Sequence, residues 1–233
     1  MVSKKLSMLV IDDDASILCL LKRTLDLEGY RTFTANEGKS GLDLVDREMP
    51  DLIILDITMP GMDGYTICQH IREFSQVPII MVTARGNEEE KIRGFECGAD
   101  DYVTKPFFNR ELVARVKSVL KRSQIGDAMV RQPTFKIGNF EMDFVKRMVV
   151  IAGNKVSLTP TEYQLLQELV LNRGKVLTHI QLLQKVWGHE YMSETEYLHV
   201  FIGRLRNKLH LGSGGQRYII TVPGVGYQFK DTP

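Results

Sequence analysis

Leu52-Ile53-Ile54-Leu55-Asp56-Ile57-Thr58-Met59-Pro60-Gly61-Met62-Asp63-Gly64 is the stretch that decides how the first half of this chain folds. Its leading apolar run shows no alternation and is followed at once by turn formers. Such a run reads as a strand buried on both faces, as in a parallel sheet covered by helices. Asp56 then stands at a rim and not in a core. Taken alone, it reads equally well as a residue that ends a strand and caps the next turn. What separates the two readings is where the other acids, a Thr and a Lys fall.

Working outward, Leu6 to Ile11 is a second apolar run, and it ends in Asp12, Asp13 and Asp14. Adjacent carboxylates repel and raise one another's pKa unless a cation neutralises some of them. Ser16 to Leu27 carries apolar residues at helical spacing and is stopped by Gly29. The alternation then continues. Strands are expected at Tyr30 to Thr34, Asp51 to Asp56, Val77 to Thr83 and Asp101 to Thr104, and helices at Lys39 to Glu48, Tyr65 to Phe74, Glu88 to Cys97 and Arg110 to Lys121. Five strands alternating with five helices predict an α/β, doubly wound parallel sheet, whose ligands bind beyond the carboxyl ends of the strands. Asp12 and Asp13, Asp56, Thr83 and Lys105 all fall at such ends, so four strands converge on one rim.

Residues 6–122 resemble the receiver domain of two-component response regulators. The matching motifs are Ile11-Asp12-Asp13, Leu55-Asp56, Met59-Pro60-Gly61-Met62-Asp63-Gly64, Val82-Thr83-Ala84 and Asp100-Asp101-Tyr102-Val103-Thr104-Lys105-Pro106-Phe107. The resemblance implies a flavodoxin-like fold in which Asp56 takes a phosphoryl group from a sensor histidine kinase. It implies Mg2+ held by Asp13, Asp56 and the Thr58 carbonyl, with Asp12 acting through water. That donor set suits a hard cation. Lys105 and Thr83 would contact phosphoryl oxygens, Lys105-Pro106 would be cis, and Thr83 with Tyr102 would form the switch, Tyr102 turning inward once Thr83 moves. The resemblance also implies a symmetric dimer pairing Lys91 with Glu111, Asp101 with Arg115, and Asp100 with Arg122. Phosphatases of the haloacid dehalogenase type also form an aspartyl phosphate, but they need a second Asp two residues on, where this chain has Thr58. The expected chemistry is therefore limited to phosphotransfer onto Asp56 and slow autodephosphorylation.

At 233 residues, 43% apolar and 25% charged, the chain has the length and composition of two soluble domains. No apolar run approaches the roughly 20 residues of a membrane span, and no signal peptide is read at the start, so a cytoplasmic protein without a membrane partner is expected. Cys19, Cys68 and Cys97 lack metal-ligand spacing. Residues 1–122 carry 17 Lys+Arg against 20 Asp+Glu, and the remainder 13 against 9, so an acidic half precedes a mildly basic one. The sign of the second half hints at nucleic acid.

Residues 123–134 lack periodicity and read as a linker. From Phe135 short alternating runs predict a small antiparallel sheet. Thr159-Pro160-Thr161-Glu162 starts a helix that runs to Asn172, and a second helix follows Thr178 and ends near Trp187-Gly188. A third covers Glu196 to Leu209, with an apolar stripe of Leu198, Ile202, Leu205 and Leu209 and with Tyr197, Phe201, Arg204, Arg206 and Lys208 expected off it. A hairpin, Arg217 to Val222 and Tyr227 to Lys230, closes the chain. That order is a winged helix-turn-helix. Residues 135–230 resemble the DNA-binding domain of OmpR/PhoB-type transcription factors through Leu158-Thr159-Pro160-Thr161-Glu162-Tyr163, Val186-Trp187-Gly188, Arg204-Leu205-Arg206-Asn207-Lys208-Leu209 and Gly224-Val225-Gly226-Tyr227. The resemblance implies a homodimer on direct-repeat promoter DNA and RNA polymerase at the loop from Trp187 to Thr195. Tyr197, Val200, Phe201, Arg204, Arg206, Lys208 and Gly226 are the expected DNA contacts, with Arg204 at a base edge and Arg206 on phosphate. Gly203 and Pro223 depart from the family's frequent basic residues at those positions.

Overall fold

The β-branched and leucine-rich runs form strands β1 (Ser7–Ile11), β2 (Arg31–Ala35), β3 (Leu52–Asp56), β4 (Ile79–Thr83) and β5 (Asp101–Thr104). They make one parallel sheet in the order β2-β1-β3-β4-β5. Every residue of β1, β3 and β4 is buried, as an unalternating apolar run requires when helices cover both faces. Helices α1 (Ala15–Leu27), α2 (Gly38–Glu48), α3 (Gly64–Phe74), α4 (Glu88–Glu96) and α5 (Asn109–Gln124) connect or follow the strands. Two of them start on acids of the motif loops: Asp14 accepts from the Ser16 amide to cap α1, and Asp63 accepts from the Thr66 amide to cap α3. One core packs Leu21 and Leu25 of α1, and Leu112, Val116 and Val119 of α5, on Val10, Ile54 and Val82.

This computed structural model describes residues 5–84, 88–124, 134–210 and 218–231, and the chain divides into two compact units, Met1–Lys121 and Arg122–Pro233. Most of the expected linker lies outside the described residues, as does Arg217 of the hairpin. No helix among the described residues is long and apolar enough to cross a membrane.

The second unit opens with an antiparallel sheet of β6 (Thr134–Ile137), β7 (Phe140–Asp143), β8 (Met148–Ile151) and β9 (Asn154–Val156). Helices α6 (Pro160–Leu171), α7 (His179–Val186) and α8 (Thr195–His210) follow. A three-stranded sheet in the order β10 (Val176–Thr178), β12 (Gly226–Phe229), β11 (Ile219–Val222) completes it. Sequence periodicity misses β9 and β10, because three residues are too few to display a period of two. Thr159 with Glu162, and Thr178 with Gln181, form reciprocal capping boxes that fix where α6 and α7 begin. Phe140, Tyr218 and Phe229 stack between the sheets with centroids 5.2 to 5.9 Å apart.

Candidate phosphoryl-acceptor site and nucleic-acid face

Strand register assembles the first site. Ile11 pairs with Leu55, which sets Asp12 beside Asp56 just past the ladder, and β1–β3 is where the strand order reverses. Asp56 lies opposite Val82, and Thr83 lies opposite Thr104, so Thr83 and Lys105 follow at the same rim. Directly after Asp56 the chain turns tightly. A Cβ on Gly64 would overlap the Asp56 carbonyl oxygen, so only glycine lets α3 start there.

The Lys105 ammonium lies 2.8 Å from Asp12 Oδ2 and 2.7 Å from Asp56 Oδ1. The Thr58 amide donates to Asp56 Oδ2 at 2.9 Å, and the Asp14 amide donates to Asp12 Oδ1 at 3.0 Å. Asp12 and Asp56 are buried and Asp13 is exposed, and carboxylate oxygens of all three lie within 4.8 Å of one another. Oxygen donors so disposed could hold a hard metal ion. Burial raises the Asp56 pKa, the Asp12 charge adds to the rise, and Lys105 opposes it. For Lys105 burial acts downward, but its hydrogen bonds to Asp12 and Asp56 outweigh it and the pKa is raised. At 2.7 Å the Lys105 ammonium is in hydrogen-bond contact with the Asp56 carboxylate, a charge-assisted pairing that favours the ionised form.

Thr83 is buried and donates to Glu90 Oε2 at 3.3 Å. Tyr102 is 1% exposed, its ring 6.5 Å from Phe95 and its hydroxyl hydrogen-bonded to Thr83. The inward position expected to follow phosphorylation is therefore already filled. The Lys105-Pro106 peptide is cis.

The charges expected at a dimer face are engaged within the chain. Arg115 pairs with Asp101 at 3.1 Å and with Glu111 at 3.0 Å. Asp100, fully buried, pairs with Arg72 at 3.0 Å. Arg122 counts with the second unit and is 2% exposed there, its Nη1 3.4 Å from the Val186 carbonyl. The Lys91 side chain lies outside the described residues.

On α8 the buried face is wider than the expected stripe. Tyr197 and Phe201 join Leu198, Ile202, Leu205 and Leu209 in the interior, Tyr197 against Tyr191 and Phe201 5.1 Å from Trp187. These two cannot meet DNA where they stand. Arg204 is also drawn inward: its Nη2 is 2.8 Å from Glu162 Oε1, and its guanidinium lies 4.7 Å over the Phe201 ring. Lys208 takes the other oxygen of Glu162 at 2.7 Å. Glu162 is fully buried, and sequence reasoning read it only as an acid in a first helical turn. Gly226 has a packing reason, since a Cβ there would overlap the Leu177 carbonyl oxygen. The open face of α8 carries His199, Val200, Gly203, Arg206 and Asn207, with nothing within 4 Å of a Cβ built on Gly203. Arg206 bonds the Ile219 carbonyl at 3.1 Å and Thr221 Oγ1 at 2.7 Å, tying the helix to β11. His199 packs on His179 and Tyr227, which joins α8 to the start of α7 and to β12.

Residues 8–117 match the family model described as "Response regulator receiver domain", and residues 153–229 that of "Transcriptional regulatory protein, C terminal". The sensory transduction protein RegX3 of Mycobacterium tuberculosis is 38% identical over 224 residues, covering 96% of this chain and 99% of that protein. The chain belongs to the OmpR/PhoB family of response regulators. The probable transcriptional regulator ycf27 of Cyanophora paradoxa is 39% identical, covering 98% of each chain. Among solved structures, DrrB, an OmpR/PhoB homologue from Thermotoga maritima, covers 97% of this chain and 99% of its own at 32% identity with TM-score 0.52. A point mutant of RitR covers the same shares at 28% identity with TM-score 0.77. Family membership makes this response regulator a receiver joined to a winged-helix DNA-binding domain, a regulator of transcription and not a conventional enzyme.

Lys105 is the counter-charge that this response regulator's acid cluster depends on, so Lys105→Ala should lower stability at pH 7.5 by roughly 1 to 3 kcal/mol without divalent cation. A carboxylate whose folded pKa is raised binds more protons folded than unfolded, so its cost grows as pH rises through that pKa. The deficit should therefore shrink as thermal melts are repeated down to pH 5. A deficit of the same size at both pH values would show that Lys105 acts by packing alone.

Proposed function

We propose that this chain is a cytoplasmic transcription factor switched on by phosphorylation of Asp56 by a sensor histidine kinase. The observation that carries the reading is Asp56 itself: a buried carboxylate at the end of the central strand, bound by Lys105 and within ligand reach of Asp12 and Asp13. Asp13, Asp56 and the Thr58 carbonyl would hold Mg2+, with Asp12 acting through water. The ion, when bound, neutralises charge on the transferring phosphoryl group. An Asp56 oxygen forms the new P–O bond as the donor's P–N bond breaks, while Lys105 pairs with a phosphoryl oxygen. Incubation with acetyl phosphate and Mg2+ should add one base-labile phosphoryl that Asp56→Asn lacks. Undiminished labelling of that variant would sink the assignment, and Asp13→Asn should label more slowly because a charged oxygen ligand is lost.

Phosphorylation then favours a symmetric dimer through α4, β5 and α5. Arg115, Asp101 and Glu111 are already paired within the chain, so the cross-dimer pairs form by exchange, and the pair at half-exposed Glu111 adds little strength, about 0 to 1 kcal/mol. Sedimentation should show Glu111→Lys dimerising more weakly, and Lys91→Glu in the same chain partly restoring it. No recovery would refute that pair.

Bound as a dimer on direct repeats, two α8 helices enter successive major grooves and the β11–β12 hairpin reaches the backbone or minor groove. The segment from Trp187 to Thr195 faces RNA polymerase. Arg204 reads a guanine only by exchanging Glu162 for the base edge, whereas Arg206, on the open face, holds phosphate. Arg204→Ala should then cost roughly 1 to 3 kcal/mol on the preferred site and blunt one base pair's discrimination, and Arg206→Ala should weaken all sequences alike with a salt slope smaller by about 1. Inserting about half a helical turn between half-sites should abolish cooperativity in the footprint. Unchanged preference in a folded Arg204 variant would pass base reading to His199 and Asn207.

A further inference from the structure

The Thr83 hydroxyl has one proton to give, and it gives it to Glu90 Oε2 at 3.3 Å. A hydroxyl so engaged cannot at the same time donate to an oxygen on Asp56. Glu90 is fixed from behind: the Tyr65 hydroxyl donates to the Glu90 carbonyl at 3.2 Å, and the Arg93 guanidinium lies 4.3 Å over the Tyr65 ring. The helix that carries Glu90 is drawn close to the sheet at Gly94, where a Cβ would come 2.9 Å from Met81 Sδ and 3.5 Å from the Tyr102 ring. Burial raises the Tyr65 hydroxyl to about 12, and the Glu90 charge is the next largest cause; at Tyr102 burial again leads the rise, and the Glu90 charge is a lesser cause behind Tyr65. The Glu90 carboxylate thus reaches Thr83 and lies near enough to the Tyr65 and Tyr102 hydroxyls for its charge to act on both.

We propose that Glu90 is a latch on the switch: its carboxylate holds the Thr83 hydroxyl in the unphosphorylated chain, and a phosphoryl group on Asp56 must displace it. The proposal rests on the reading of Asp56 as acceptor. Two effects of the same sign follow. Glu90 competes for the single hydroxyl proton, and its charge repels the incoming dianion between the buried side chains of Thr83 and Asp56. Breaking the bond also frees the start of α4 from β4, so the latch converts occupancy at Asp56 into a change in the helix that opens the α4-β5-α5 face.

The test is calorimetric titration of the whole chain with beryllofluoride, a phosphoryl mimic, in the presence of Mg2+. Glu90→Ala should bind it about two- to tenfold more tightly than the unsubstituted chain, the range expected for one net hydrogen bond. Glu90→Gln keeps an acceptor and loses the charge, so it should fall between, and it carries the test if the alanine variant does not fold. On a Thr83→Ala background the gain from Glu90→Ala should vanish. An equal gain with and without the Thr83 hydroxyl, or no gain in either glutamate variant, overturns the latch while leaving Asp56 as acceptor. Failure of the unsubstituted chain to bind beryllofluoride at all would overturn the acceptor reading and the latch with it.

Discussion

One ammonium at the carboxyl end of the sheet holds the first unit's chemistry together. Lys105 lies within 2.8 Å of both Asp12 and Asp56, residues that come from strands on opposite sides of the switch in strand order. Without it, two buried carboxylates would face each other with no counter-charge between them. With it, the ammonium opposes the rise that burial imposes on the Asp56 pKa, and a charged oxygen is what both a metal ion and phosphoryl transfer require. The sheet supplies the precision: Lys105 is brought to Asp12 across 93 residues of sequence by ladder registers alone.

The second unit uses the inverse arrangement. There one buried carboxylate, Glu162, gathers two cations from α8, Arg204 and Lys208, while also accepting the Thr159 amide at 2.8 Å that opens α6. A buried ion cluster contributes little net stability, because desolvation offsets most of its attraction. It does set rotation: α8 can satisfy Glu162 in only one orientation about its axis, and that orientation chooses which side chains are left facing outward. The capping box and the outward face of α8 are therefore not separate features. The same carboxylate that starts one helix aims another.

Much of this was legible in the sequence, for a physical reason. A strand end is a fixed place in a parallel sheet, so residues that follow apolar runs, Asp12, Asp56, Thr83 and Lys105, announce their meeting point without any knowledge of contacts. What was not legible depends on long-range pairing. Nothing near Arg204 in sequence shows that it will turn toward Glu162, and nothing near Asp101 shows that Arg115 will meet it in the same chain. Helical periodicity likewise gave α8 a narrow stripe, because Tyr197 and Phe201 are drawn inside only when Tyr191 and Trp187 arrive beside them.

The two clusters differ in what a partner must do to them, and this orders the events of signalling. At Asp56 the charges converge at a rim where Asp13 is exposed, which suits the proposed entry of a small dianion with its cation. At Glu162 the cations are committed and the carboxylate is buried, so a base edge that recruits Arg204 must first match the ion pair it breaks. On the proposed reading the first site takes the covalent change, and the second resists casual binding. DNA reading that costs an internal ion pair is unfavourable for one helix alone, and it becomes favourable when a dimer presents two helices to neighbouring half-sites at once. If the receiver controls dimerisation as proposed, it controls DNA binding with no need to alter the winged helix itself.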